Sequence, residues 1–291
     1  MKKIGYVMLL GLLGTLLLGG CEKEEKVAIE VETEEKTEEK TKPSYSFRDV
    51  LGTKYEAPLL TQLPKNTYED SRLVNQNGMM VYQDKKGKVV SQQGIDVSKY
   101  QTNIDWKAVK ESGIDFVMVR IGFRGYGDGM LHLDEAFISH VEGAQKENLG
   151  VGVYFFSQAI TEEEAKEEAD FVMSNIQKYA IAYPVVFDTE EIKGDVARTD
   201  HLTKEQYTKQ CIAFCDQVKK AGYQPMIYAN MKWLAFSLNL EELQTYPIWY
   251  ADYEAKPQCP YAFQMWQYTE SGTVPGIEGK VDRNLLFPAK E

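Results

Sequence analysis

Two carboxylates stand two residues apart at the end of an apolar run, Pro184-Val185-Val186-Phe187-Asp188-Thr189-Glu190. On an extended chain residues i and i+2 face the same way, so Asp188 and Glu190 converge while Thr189 and Glu191 point elsewhere. Two close carboxyls cannot both ionise freely; one pKa rises, and that group can act as an acid. Splitting an acetal uses such a pair. One acid protonates the leaving oxygen, and a carboxylate, or a substrate group that it orients, supports the positive anomeric carbon. Acidic pairs also occur in loops and ion pairs, so the spacing alone is weak. The apolar run before it strengthens the reading, because a strand suited to burial ends abruptly in two acids.

Other apolar runs end in similar chemistry. Asp96 reads either as a turn or cap residue satisfied by Ser98 and Lys99, or as a third site acid. Asp282 reads as a surface turn residue paired with Arg283, or as a fourth. Tyr154, Phe156, Tyr228, Trp249, Tyr250, Trp266 and Gln267 lie at the ends of further runs. Sugar rings stack on aromatic faces, so these are candidate substrate contacts; packing in the core is the competing role for the Trp and Tyr residues.

The elements that must hold these groups are short apolar runs alternating with helical patterns. Strands are expected at 94–97, 116–121, 151–156, 183–187, 225–228, 247–250, 263–266 and 280–282. Helices are expected at 104–112, 134–148, 161–179 and 203–221, the last two opened by capping boxes of Thr161 with Glu164 and Thr203 with Gln206. Repeated strand–helix units argue for a parallel sheet. Eight strands, with helices mainly in the first five intervals, point to the α/β class: an irregular eight-stranded TIM-like β/α barrel with reduced helices in its last part. Such barrels carry their sites at the C-terminal strand ends, and 291 residues suit one barrel plus additions.

The additions lie at the N-terminus. Lys2 and Lys3 precede an apolar run over 4–18, which ends in Leu18-Gly19-Gly20-Cys21. The run is short for a membrane span and reads as a secretory signal over 1–20, with Cys21 resembling the lipidated Cys of a bacterial lipobox. Nine Glu and five Lys between positions 22 and 42 make residues 21–43 a lipidated Cys and charged, disordered tether. Residues 44–91 are an N-terminal extension, with a hairpin expected between 79–83 and 88–92 across Asp84-Lys85-Lys86-Gly87. The catalytic barrel domain then occupies 92–291. The expected location is the outer face of a bacterial cytoplasmic membrane, as a monomer. A net charge of −11 argues against nucleic-acid binding, since phosphates go unneutralised. Cys211, Cys215 and Cys259 read as buried thiols, and no Cys or His cluster suggests a metal or other cofactor.

The segments Gly94-Ile95-Asp96-Val97-Ser98-Lys99-Tyr100-Gln101, Ile104-Asp105-Trp106, Val153-Tyr154-Phe155-Phe156, the run through Glu190, Ile248-Trp249-Tyr250-Ala251-Asp252-Tyr253, Met265-Trp266-Gln267-Tyr268-Thr269, Val274-Pro275-Gly276-Ile277 and Val281-Asp282-Arg283-Asn284 occur together, in order. Jointly they resemble the glycoside hydrolase family 25 lysozymes, which are N-acetylmuramidases, over 94–287. The resemblance implies a metal-free cut of the β-1,4 bond between N-acetylmuramic acid and N-acetylglucosamine in the peptidoglycan glycan strand. It implies that Glu190 is the proton donor and that Asp188 either attacks the anomeric carbon or steers the substrate's 2-acetamido group. Asp96 and Asp282 match the other acids of the family's site. Thr102 and Thr189 depart from common family residues without removing a carboxylate. A non-catalytic wall-binding lipoprotein and a glycosidase on another N-acetylated polymer such as chitin are the alternatives.

Overall fold

The computed structural model describes residues 43–288. The leader, Cys21 and the tether therefore lie outside the described residues, apart from Pro43. Among the described residues no helix is long and apolar enough to cross a membrane. The described residues cluster as one compact unit.

The chain begins with two hairpins. β1 (Ser44–Arg48) pairs antiparallel with β2 (Lys54–Pro58), and β3 (Leu73–Gln76) with β4 (Met79–Tyr82). The second hairpin turns at Asn77-Gly78, both at positive φ, where Gly has no Cβ to clash. The expected pairing of 79–83 with 88–92 is formed only in part. The Asp84-to-Gly87 turn does form, and backbone bonds from Asp84 N to Lys88 O and from Val90 N to Tyr82 O flank the bridge between Gln83 and Val89. Met79 to Tyr82 pair backwards, and Gln92 already belongs to the first barrel strand.

The barrel follows as β5 (Gln92–Val97), α1 (Trp106–Glu111), β6 (Phe116–Arg124), β7 (Leu131–Leu133), α2 (Phe137–Lys146), β8 (Gly150–Phe156), α3 (Glu162–Ile176), β9 (Val185–Asp188), α4 (Lys204–Lys220), β10 (Pro225–Asn230), α5 (Met231–Phe236), β11 (Ile248–Ala251), β12 (Met265–Gly272) and β13 (Val281–Leu286). The order is β5-β13-β12-β11-β10-β9-β8-β6-β7, and β5 also pairs with β6. Eight of these nine strands close on themselves; β7, absent from the sequence expectation, is an antiparallel flap on β6. The expected α/β barrel is present, with one difference in direction: β13 runs antiparallel to both β12 and β5. Asp282 reaches the functional rim because it starts its strand, whereas the acids of its neighbours end theirs.

Alternation sorts every strand into two faces. On β9, Val185 and Phe187 join the layer between barrel and helices, while Val186 packs inside with Phe116, Met118, Met226 and Met265. On α3, Ala165, Ala169, Val172 and Ile176 recur at helical spacing and are all buried. α4 buries Tyr207, Cys211, Phe214, Cys215 and Val218 on one face, and the three described Cys are free and buried. Its capping box is complete. That of α3 is half formed: Thr161 Oγ1 accepts from Glu164 N at 3.1 Å, but Glu164 Oε2 accepts from Ile160 N, while Oε1 takes Arg198.

The lower barrel interior is tight enough to require glycine at position 94. A Cβ built there overlaps the ring of Phe116, which is itself stacked on Tyr183 at 4.6 Å. Overpacking of this kind costs typically 1–3 kcal/mol. Gly94→Val should therefore lower the urea-unfolding free energy by about 2 kcal/mol; an unchanged midpoint would show that the ring moves freely.

Candidate active site

The inward positions at the rim collect the polar groups. Asp96, Arg120, Tyr154, Phe156, Asp188, Glu190, Tyr228, Trp249, Gln267 and Asp282 line one cavity of about 410 Å³. Asp188 ends β9, and its carbonyl accepts from Ser157 N at 2.7 Å, which ties the strand end to the end of β8. Glu190 follows two residues later, half-buried, beyond the buried Thr189. The loop carrying Glu190 is latched further on: Tyr126 donates to Asp195, Thr199 to Gln158, and Arg198 pairs with Glu164 at 2.8 Å.

Asp96 is fixed by amides. Its Oδ2 accepts from Gln267 Nε2 at 3.0 Å and from Asn284 Nδ2 at 2.8 Å. Asn284 Oδ1 in turn accepts from Trp249 Nε1 at 2.8 Å, and the Tyr228 and Tyr253 hydroxyls both donate to Gln267 Oε1 at 2.9 Å. Asp282 stands opposite Asp96 across the β5–β13 ladder. Neither Ser98 nor Lys99 satisfies Asp96, and Arg283 bonds Gly78 O rather than Asp282.

Burial acts on all four acids. It raises Asp188 well above the usual carboxylate range, with Glu190 and Asp96 adding repulsion and Arg120 opposing. One Asp188 oxygen, Oδ1, is buried with no protein partner. Burial also raises Glu190, against the pull of Lys193 and of the nearby Tyr228 hydroxyl. Asp96 is raised by burial in spite of its amide donors, and Asp282 is pushed up to about 9 by burial and then by Asp96. Arg120 is held by Asp134 at 2.7 Å, with the Asp134 side chain fully buried.

Two of the proposed substrate contacts are elsewhere. Tyr250 and Trp266 are 0 % exposed and face outward into the layer under the helices. Tyr250 donates to Asp252, and Trp266 Nε1 donates to Asp252 O at 2.7 Å. The reason is parity: Trp249 and Gln267 take the inward positions, so their chain neighbours cannot. Trp249, at 1 % exposure, packs edge-on to Tyr228 and Tyr154 and gives the cavity a wall rather than a free stacking face. The cavity also contains Arg120, Lys193, Asn230, Tyr253, Glu270 and Val50, which sequence reasoning did not assign to the site. Arg120 carried a readable signal, a lone charge at an inward position of an apolar strand. Val50 carried none.

The family model for glycosyl hydrolases family 25 matches residues 95–277. The autolytic lysozyme of Clostridium acetobutylicum is 25 % identical over 190 residues, covering 65 % of this chain and 54 % of that protein. Among solved structures, the modular autolysin LytC of Streptococcus pneumoniae superposes with a TM-score of 0.60 at 23 % identity, over 84 % of this chain and 56 % of that one. A family 25 glycosyl hydrolase from Bacillus anthracis superposes at 0.58 and 21 % identity, over 74 % and 96 %. The chain thus spans about half the length of the lysozyme and of LytC.

The raised carboxyls link the site to stability. Asp282 keeps its proton in the folded state up to about 9 but loses it near 3.8 when unfolded. Its contribution is fully present below the unfolded value and is lost as pH rises through the folded one. Asp282→Asn should accordingly raise Tm more at pH 8 than at pH 4, in paired thermal melts; an equal gain at both pH values would remove the linkage.

Proposed function

We propose that this chain, which belongs to glycosyl hydrolases family 25, is a peptidoglycan hydrolase cutting the β-1,4 bond between N-acetylmuramic acid and N-acetylglucosamine. The observation that carries the reading is the set of four carboxyls, Asp96, Asp188, Glu190 and Asp282, gathered at one end of a closed barrel and all displaced upward by burial. The lysozyme relative supports the substrate class. So does the structure of LytC in complex with synthetic peptidoglycan ligand, as a fold-level neighbour at 22 % identity.

Glu190 is the general acid. It is the more accessible of the strand-end pair, and burial keeps its proton available above the ordinary glutamate range. Asp188 is deeper, and its Oδ1 has no protein partner. A buried carboxyl oxygen without a protein partner is open to a hydrogen bond from the substrate. This favours the second of its two roles: Asp188 orients the 2-acetamido group, whose own oxygen closes on the anomeric carbon as Glu190 protonates the leaving oxygen. Arg120, near Asp188, and Lys193, near Glu190, oppose the repulsion among the acids. Asp96 holds the Gln267 and Asn284 amides in place.

Glu190→Gln should reduce release of reducing ends from purified peptidoglycan by on the order of 10²–10⁴-fold. In the unaltered protein kcat/KM should fall at alkaline pH through a limb above the usual glutamate range, as the raised acid finally ionises. Activity that persists in Glu190→Gln removes the assignment.

We also propose that the mature chain is anchored by lipid at Cys21 on the outer face of the membrane. The support is the sequence alone: Lys2 and Lys3, the apolar run over 4–18, and small residues directly before Cys21. In detergent phase partitioning of cells that express it, the protein should enter the detergent phase and Cys21→Ala the aqueous phase. Equal partitioning of the two forms contradicts the anchor.

A further inference from the structure

The hairpin of β1 and β2 lies outside the stretch matched by the family model, yet its tip forms part of the cleft. Its root is tightly held. Phe47 is buried against Tyr55 and Phe236 of α5, and the Arg48 backbone exchanges two bonds with the side chain of Gln258, at 2.7 and 2.9 Å. Gln258 is itself bound to Asp252, just past β11. The tip is rigid as well. Asp49 Oδ1 accepts from Leu51 N at 3.0 Å and Thr53 N at 2.8 Å, and Gly52 takes φ 81°. Asp49 is thus consumed by its own turn, and the tip offers Val50 and Leu51.

These two residues wall an annex that opens directly on the catalytic acid. Val50, Glu190, Lys193 and Asn230 line both the main cavity and the annex; Leu51, Lys232, Trp233, Glu191 and the turn-bound Asp49 complete the smaller space. Lys232 is paired with Glu191 at 3.1 Å. Lys193 makes no ion pair among the described residues, although its charge reaches Glu190. Leu51 is 69 % exposed, whereas Trp233 is 8 % exposed and presents no face for a sugar to stack on. Aliphatic surface beside a free ammonium suits a methyl-bearing carboxylate better than another neutral pyranose ring.

We propose that this annex receives the lactyl arm of the muramic acid held beside Glu190, with the arm's carboxylate chemistry at Lys193 and its methyl group against Val50 and Leu51. The inference rests on the muramidase reading and adds to it a specificity wall built outside the barrel. On peptide-free glycan the negative charge is the lactate itself. On intact wall it belongs to the carboxyls of the peptide stem.

The test is steady-state hydrolysis by the full chain and by Leu51→Asp and Leu51→Asn, on three glycans from one wall preparation. One is peptide-bearing; one is stripped by an amidase, leaving free lactyl carboxyls; one is stripped and then neutralised by carbodiimide coupling to an uncharged amine. Leu51→Asp should raise KM about 10-fold on the stripped glycan with kcat changed less than about 2-fold, and should lose most of that effect on the neutralised glycan. Leu51→Asn, which loses the aliphatic contact but carries no charge, should raise KM on the stripped glycan less than Leu51→Asp does. A KM effect on the peptide-bearing glycan alone assigns the charge to the stem and still supports the annex. Equal shifts on charged and neutralised glycans, or no shift on any, overturn the proposal. Absence of cutting by the unaltered chain on all three would instead fail the muramidase reading, so the two failures are distinguishable.

Discussion

Taking a carboxylate out of water costs several kcal/mol unless hydrogen bonds or a cation offset it. The barrel rim does this to several acids at once, and much of the surrounding structure answers that cost. Gln267 and Asn284 turn their amide groups toward Asp96, and Trp249, Tyr228 and Tyr253 hold those amides in the required orientation. Arg120 supplies positive charge near Asp188 and is itself kept straight by buried Asp134. The compensation stops short of Asp188 Oδ1, which is left without a partner. A fold that satisfied every oxygen would hold these groups as ordinary low-pKa carboxylates and leave no proton to donate.

Much of this was readable from residue order, because strand parity is a strict rule. The apolar runs marked the barrel strands, and the spacing of Asp188 and Glu190 placed both carboxyls in one cavity. The same rule, carried through to β11 and β12, excludes Tyr250 and Trp266 once Trp249 and Gln267 face inward. Aromatic type alone does not distinguish a substrate platform from a core side chain. Strand direction was not readable at β13. Its pattern of alternating groups is the same whether it runs up or down, and only the pairing with β5 and β12 decides.

The extension was the least legible part, since short hairpins with polar edges leave little periodic signal. Its residues nevertheless join the barrel's own core. Tyr68 stacks on Phe287 at 3.8 Å and packs edge-on to Tyr82, while Phe47 enters the cluster near α5. One part of the extension therefore braces the end of the barrel chain, and the other overlooks the cleft. Local turn chemistry fixes the second role: an Asp whose carboxylate caps its own loop leaves two aliphatic side chains facing outward.

The antiparallel seam has a consequence for how the molecule comes to life. Asp96 and Asn284, 188 residues apart, meet only when the last strand slots between the first and its neighbour. Contacts of such separation are among the slowest to form, because a long loop must close before any bond rewards it. A chain synthesised in order thus carries its acids in an unassembled state until the last barrel strand is free. A copy cut short before that strand has no seam, no fixed Asp96 and no enclosed rim. The topology acts as a completeness check: cleft assembly waits for the strand that closes the barrel.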